Sequence, residues 1–401
     1  FLYPTLNDAT DKLISYDHWS DNDIIQDTPG TSNVNKEQID NYYDAGWNQN
    51  VYSQIRKCNL MLQKMEENTS FIEQDRKYLT AQAKALRGII YYTRARLFGK
   101  LMIVDKVIGE NDNMELPRTN TIKETYDFIL NDLKESIADL PVTHGSQQGI
   151  LTQGAVYALI AEIALQGAAY IENGQEEYYS IAKKASEDLF SLNQYELDAN
   201  YEKMFNEFDY AMGSKEIILA QWKHETNTQF SNPPLVDNFE GWPSTFPSCD
   251  LIDAYEVIDE DGQAKDWDKT SYYQNYITNG GYVSNAIYKN RDKRFYATIV
   301  QDSSKYFNSI VTMRDKGNLH WNSRVGGDWG SALTGYLYRK GVYTDKKVWY
   351  SDPTYYHYVI MRLGRAYLNY AEVMLRQGNI QTAIEYINKT RTTHGGLPAL
   401  S

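Results

Sequence analysis

Only two cysteines, Cys58 and Cys249, occur in the 401 residues. They stand too far apart for a thiolate metal pattern or a disulfide framework, and they leave the redox compartment open. Cys58 falls on an apolar helical face and reads as a small buried hydrophobe. Basic charge is also short, with 40 Lys and Arg against 53 Asp and Glu and a net charge of −13. That balance excludes a nucleic-acid partner, whose phosphates call for clustered Lys and Arg. It also excludes docking on anionic lipid through a basic patch. No run reaches the ~18 apolar residues of a membrane-spanning helix. Nor is there a leader sequence, and FLYPTLNDAT reads as the start of a trimmed mature chain.

Catalytic signatures are missing too. HExxH, GxSxG, GxxxxGK[ST] and GxGxxG do not occur. The six histidines, His18, His144, His224, His320, His357 and His394, show no helical ligand spacing, so neither a zinc site nor any other cofactor is expected. Asp259-Glu260-Asp261-Gly262 lacks the alternation and terminal Glu of a calcium loop and reads as a solvated turn.

What is present is helical grammar. Between Met361 and Arg391, the residues Leu363, Ala366, Tyr367, Tyr370, Ala371, Met374 and Leu375 follow i, i+3, i+4, i+7 spacing. Gly378-Asn379 stops that helix, since both residues tolerate a left-handed C-cap. Ile380, Ala383, Ile384 and Ile387 line the next one. Two helices joined so tightly run antiparallel, as in a tetratricopeptide-type pair.

The same pattern recurs upstream. Helices are expected at about 36–66, with Trp47, Val51, Ile55, Cys58, Leu62 and Met65 on one face, and at 72–98. A third opens at Thr121 with Glu124 as a capping box and ends at Pro141, a buried one starts at Thr152, and one spans 176–190. The fold class expected is all-α, a tetratricopeptide-like helical-repeat scaffold with a long loop-rich face and a few short strands. One domain spans 1–401, with N-terminal helical pairs over 36–215, a loop-rich ligand-facing insertion over 216–353, and a closing pair over 354–397.

Aromatic composition points to the loops. The chain has 34 Tyr and 8 Trp against 12 Phe, an excess in rings that carry a polar atom. Such rings stack on the C–H face of a sugar while neighbouring Asp, Asn and Arg bind its hydroxyls. Trp19 with Asp21 and Asp23, Phe239 with Trp242, Trp267 with Tyr272 and Tyr273, and His320-Trp321 with Trp329 combine these parts on expected loops. The candidate glycan-binding residues are therefore Trp19, Asp21, Asp23, Phe239, Trp242, Tyr272, Trp321 and Trp329. Trp47, Trp222 and Trp349 sit in periodic or strand-like context and read as core.

Ordered blocks of sequence extend this reading. QAKALRGIIYYTRARLFGKLMIVD, ELPRTNTIKETYDFILNDLKESIADLP, TQGAVYALIAEIAL, PSCDLIDAYE, NRDKRFYATIV, TGYLYRKG and MRLGRAYLNYAEVMLRQG follow one another across roughly Val51 to Leu397. In this order they resemble the SusD/RagB family of outer-membrane lipoproteins. The resemblance implies four tetratricopeptide-like pairs, no catalysis, and a lipid anchor at the outer face of the outer membrane. It implies a glycan ligand, or a peptide in the RagB branch, delivered to a SusC-like TonB-dependent transporter. A glycoside hydrolase on a helical scaffold is the alternative from another class and needs two opposed carboxylates in a deep cleft. The lipoprotein Cys is absent from these residues. Arg365 stands where relatives often carry Glu, which puts a local ion pair in doubt, and the chain stops before the region that normally closes the fold. The family's ligand residues lie in variable loops, so none is carried over by position.

Overall fold

A computed structural model describes residues 20–25, 51–68, 70–145, 149–227, 245–281, 286–306, 309–314, 316–318, 334–341 and 353–401. After strand β1 (Asp23–Ile25) come five long helices: α1 (Val51–Glu67), α2 (Glu73–Phe98), α3 (Ile122–Ser136), α4 (Gln153–Tyr170) and α5 (Gln175–Ser191). Of the helix expected from residue 36, the part before Val51 lies outside the described residues. The start signals act as read. Thr121 Oγ1 accepts from Glu124 N at 3.1 Å, and Thr152 Oγ1 from Ala155 N at 3.2 Å. Glu124 reaches back to Asn120 N at 2.8 Å, one residue earlier than the usual reciprocal bond of a capping box.

Buried apolar residues on these helices, including Ile55, Ile89, Tyr126, Ile129, Ile160 and Tyr178, form one core. Small residues let the helices approach. A Cβ at Gly167 would lie 2.7 Å from Tyr178 and 2.8 Å from Tyr126, so these two rings occupy the space a side chain would need. Across the first three helices Arg87 holds a buried bidentate pair with Asp132, at 2.7 Å for both bonds. Its remaining donor reaches Asn59 Oδ1 at 2.8 Å and the Asp105 carbonyl at 2.9 Å.

Two short helices, α6 (Tyr201–Asn206) and α7 (Phe208–Gly213), precede strand β2 (Ile217–Asn227). The loop-rich half then holds β3 (Thr245–Pro247), α8 (Cys249–Asp253), β4 (Val257–Ile258), β5 (Ala264–Lys265), α9 (Ser271–Thr278) and α10 (Lys293–Thr298). It continues through β6 (Ile299–Val300), β7 (Lys305–Tyr306), β8 (Ser309–Ile310) and β9 (Leu337–Tyr338). Strand β10 (Pro353–Arg362) leads into α11 (Leu363–Arg376) and α12 (Ile380–Thr393).

The sheets are two-stranded. β10 runs antiparallel to β2, with His357 opposite Trp222 and Val359 opposite Ala220. The two strands of this ribbon flank the loop-rich segment in sequence. Trp222, expected in the core, is half-buried and stacks on His357 at 5.2 Å. Trp47 and Trp349 lie outside the described residues. At the closing turn Gly378 has φ +79°, and Asn379 caps α12 through a bond from Thr382 N. The α11–α12 hairpin packs back on α4 and α5. Arg365 does make an ion pair, to Glu162 on α4 at 2.6 Å, so the position where relatives often carry Glu is paired here with the charges as they stand.

Glu216 joins the segment before β2 to the closing helical pair. It is fully buried and accepts from Arg362 Nη1 at 2.7 Å, Asp198 N at 2.7 Å, His394 at 2.9 Å and Gly364 N at 3.3 Å. Burial pushes its carboxyl up, but the bond from His394 and the Arg362 guanidinium outweigh that and hold it below the usual range. No helix among the described residues is long and apolar enough to cross a membrane.

Candidate functional site

Helix α9 reads SYYQNYIT, with no apolar stripe wide enough to bury a face. None of its residues is buried. Tyr272, Tyr273 and Tyr276 are half-exposed, and Ile277 is 54% exposed. The helix is nevertheless firmly held. At its start Thr270 Oγ1 accepts from Tyr273 N at 3.1 Å and donates to the Trp267 carbonyl at 2.7 Å. Asp259 accepts from Ser271 N at 3.0 Å, from Ser271 Oγ at 2.5 Å and from Lys265 Nζ at 2.7 Å. Hydrogen bonds from Lys265 and Ser271 hold the Asp259 carboxyl far below the usual range. The turn expected at 259–262 is solvated at Glu260, Asp261 and Gly262, which are exposed, whereas Asp259 turns inward, 7% exposed, and ties β4 and β5 to the helix start.

Below α9 lies Trp267, 9% exposed. Tyr273 and Tyr276 meet it edge-on, with centroids at 5.7 and 6.2 Å. Trp267 was expected on a loop among sugar-facing residues. It sits in a short 3₁₀ turn, Trp267–Lys269, as the floor beneath the tyrosines. Under Trp267 is Arg291, its guanidinium 5.5 Å from the indole and 5.2 Å from the Phe295 ring. Arg291 donates to the carbonyls of Ile252, Tyr255 and Ile287 at 2.8, 3.0 and 2.8 Å. Burial without a bonded carboxylate pushes its pKa down. Rings and cation thus form a column from solvent to the Phe295 core.

At the edge of this column Tyr272 Oη accepts from Asn290 Nδ2 at 2.9 Å. Asn290 has φ +54°, a left-handed conformation that Asn tolerates. The patch therefore offers half-exposed ring surface beside an exposed amide and a phenol, which is the combination a sugar needs.

Of the eight residues singled out in the sequence, Asp21, Asp23 and Tyr272 are described. Trp19, Phe239, Trp242, Trp321 and Trp329 lie outside the described residues. Asp21 is exposed, and its carbonyl accepts from Ser248 Oγ. Asp23, by contrast, is 7% exposed and accepts from Tyr338 Oη. It lies in β1 opposite Pro247 of β3 and faces the interior rather than a ligand. No hydrogen bond or ring contact among the described residues joins Tyr272 to Asp21 or Asp23. Sequence reasoning left out Tyr276 and Asn290. Tyr276 was signalled by its i+3 and i+4 spacing from Tyr273 and Tyr272, whereas nothing local marked Asn290. Among the described residues no group of three or more His, Cys, Asp or Glu could hold a metal ion.

Comparison with known proteins bears on both halves of the chain. A family model described as the SusD family matches residues 215–396. A second, described as starch-binding associating with outer membrane, matches residues 5–165. A search of the curated proteins finds no match. Among solved structures, a SusD-like protein of Bacteroides fragilis is 26% identical with a TM-score of 0.75, over 100% of this chain and 79% of that one. A SusD-like carbohydrate binding protein of the same organism is 18% identical with a TM-score of 0.77, over 100% and 80%. A laminarin binding SusD-like protein is 17% identical with a TM-score of 0.66, over 100% and 84%. The last two likenesses establish the tetratricopeptide-type fold.

Proposed function

The chain belongs to the SusD family, and we propose that it binds a glycan at the outer face of the outer membrane and passes it to a SusC-like TonB-dependent transporter. Proteins of this family bind carbohydrate without transforming it, and this one is a binding protein, not an enzyme. The family association with the outer membrane supports the location. Attachment there would be by a lipid anchor outside these residues. Relatives that bind carbohydrate, laminarin among them, support the ligand class.

The observation that carries the reading is α9, a helix with no buried residue, two of whose three tyrosines, Tyr273 and Tyr276, rest on Trp267. A flexible aromatic surface would lose entropy on binding, while this one is ordered beforehand by Asp259, Thr270 and Arg291. Tyr272 with Asn290 is assigned to hydroxyl recognition, and Tyr273 and Tyr276 to stacking. Trp19, Asp21, Phe239, Trp242, Trp321 and Trp329, chosen from the sequence, are proposed as further glycan contacts.

Isothermal titration with β-glucan and α-glucan oligosaccharides tests it. A hydrogen bond to a sugar hydroxyl contributes about 1 kcal/mol, so Tyr272→Ala is expected to weaken binding roughly fivefold with unfolding unchanged. Equal affinity of wild type, Tyr272→Ala and Tyr276→Ala for every glycan bound would remove α9 from the site. Binding of peptides but no glycan would move the protein to the peptide-binding branch.

A further inference from the structure

A second cluster, on residues other than those of α9 and its floor, carries an unmatched positive charge. It surrounds α6. Lys340 Nζ lies 3.2 Å from Tyr201 Oη and 4.2 Å from the centroid of Phe205. The Arg362 guanidinium lies over the same two rings at 5.4 and 5.9 Å. Three cations here have carboxylates: Arg362 with Glu216 at 2.7 Å, Arg294 with Asp292 at 2.5 Å, and Arg339 with Glu202 at 3.6 Å. Among the described residues Lys340 has none; its partners are the phenol and the ring faces. In a chain of net charge −13, a half-buried ammonium without a counter-ion is costly to hold.

Donors at the same place are also unmatched. Asn206 is 3% exposed, and its Oδ1 accepts from Gly341 N at 2.8 Å, one residue beyond Lys340. Its Nδ2 has no partner, nor has Arg339 Nε one residue before Lys340. Buried donors are normally satisfied, and leaving one unpaired is costly.

We propose that the cluster formed by Tyr201, Phe205, Asn206, Lys340 and Arg362 binds a single oxyanion group, a carboxylate or a phosphate. One negative charge would neutralise Lys340, and its lone pairs would accept from Tyr201 Oη and Asn206 Nδ2. The field is already that of an anion site. Burial pushes the Tyr201 phenol up, yet Lys340, Arg362 and Arg294 together bring it below its ordinary value.

Calorimetric titration of the full chain at constant ionic strength tests this, with sodium phosphate, sodium acetate and glucuronate as probes and glucose as the neutral control. Saturable one-site binding of at least one anion, without glucose binding, is expected. Lys340→Gln should weaken it about tenfold or more, while Lys340→Arg retains it. Glucuronate binding more tightly than phosphate assigns the site to an acidic sugar, the reverse order assigns it to inorganic phosphate, and both support the proposal. Should Lys340→Gln not fold, Tyr201→Phe, which removes only the hydroxyl, is expected to lower the affinity. Absence of saturable binding by all three anions, or equal affinity in wild type and both Lys340→Gln and Tyr201→Phe, overturns it.

Discussion

Removing one partner of the Arg87–Asp132 pair should destabilise the protein more than any surface change. Both side chains are nearly excluded from solvent, at 7% and 4% exposure. Asp132→Ala leaves the guanidinium with two neutral acceptors, Asn59 Oδ1 and the Asp105 carbonyl, and with the Phe128 ring at 5.2 Å. An uncompensated buried charge of this kind costs about 3–5 kcal/mol. Arg87→Met removes the charge but strands the carboxylate and releases Asn59, which also holds the Val104 and Lys106 carbonyls at 2.9 and 3.0 Å. A similar loss is expected. The double variant Arg87→Met/Asp132→Leu strands neither charge, so its cost should fall well short of the sum, with a coupling energy of at least about 2 kcal/mol. Equilibrium urea unfolding followed by circular dichroism measures all four proteins. A coupling energy within about 0.5 kcal/mol of zero, as exposed pairs give, would refute the view that this pair joins α1, α2 and α3.

Gly167→Ala should destabilise by about 1–3 kcal/mol, because the new methyl must displace Tyr178 and Tyr126 in a packed core; the shift of the urea midpoint reads it. Glu216 has a carboxyl pKa lowered on folding, so it adds stability above the unfolded carboxylate range near ~4.3 and loses it as pH falls through the folded value. The stability gap between wild type and Glu216→Gln should therefore be widest near neutrality and shrink below about pH 4, as unfolding measured across pH will show. The losses of glycan affinity in Tyr272→Ala and of anion affinity in Lys340→Gln complete the set.

The helical scaffold was legible because its signals are local. Thr121, Thr152 and the Gly378-Asn379 turn mark helix ends within a few residues of where they lie. The β2–β10 ribbon was only half legible. IILAQWK reads as a strand alone, but PTYYHYVIMR is rich in tyrosine and pairs with a segment more than a hundred residues away. Long-range pairing leaves no local mark. The same holds at the candidate site. A run of tyrosines was visible at 272–276, whereas the burial of Trp267 depends on Arg291 arriving beneath it. Asp259 looked like a turn residue because its partners Lys265 and Ser271 meet it only after β4 and β5 pair. The burial of Asp23 is illegible for a related reason, since Tyr338, which bonds it, comes 315 positions later.

The pairing of β1 with β3 has a mechanical consequence. Residues 20–25 are sewn to the loop-rich half by three aligned residue pairs, by Ser248 N on the Asn22 carbonyl at 2.8 Å, and by Tyr338 on Asp23. Tension entering from the N-terminal side of Asp23 therefore loads this seam before it reaches α1. The antiparallel strands take that pull in shear across all their bonds at once, and the helical stack behind them stays unstrained until the seam parts.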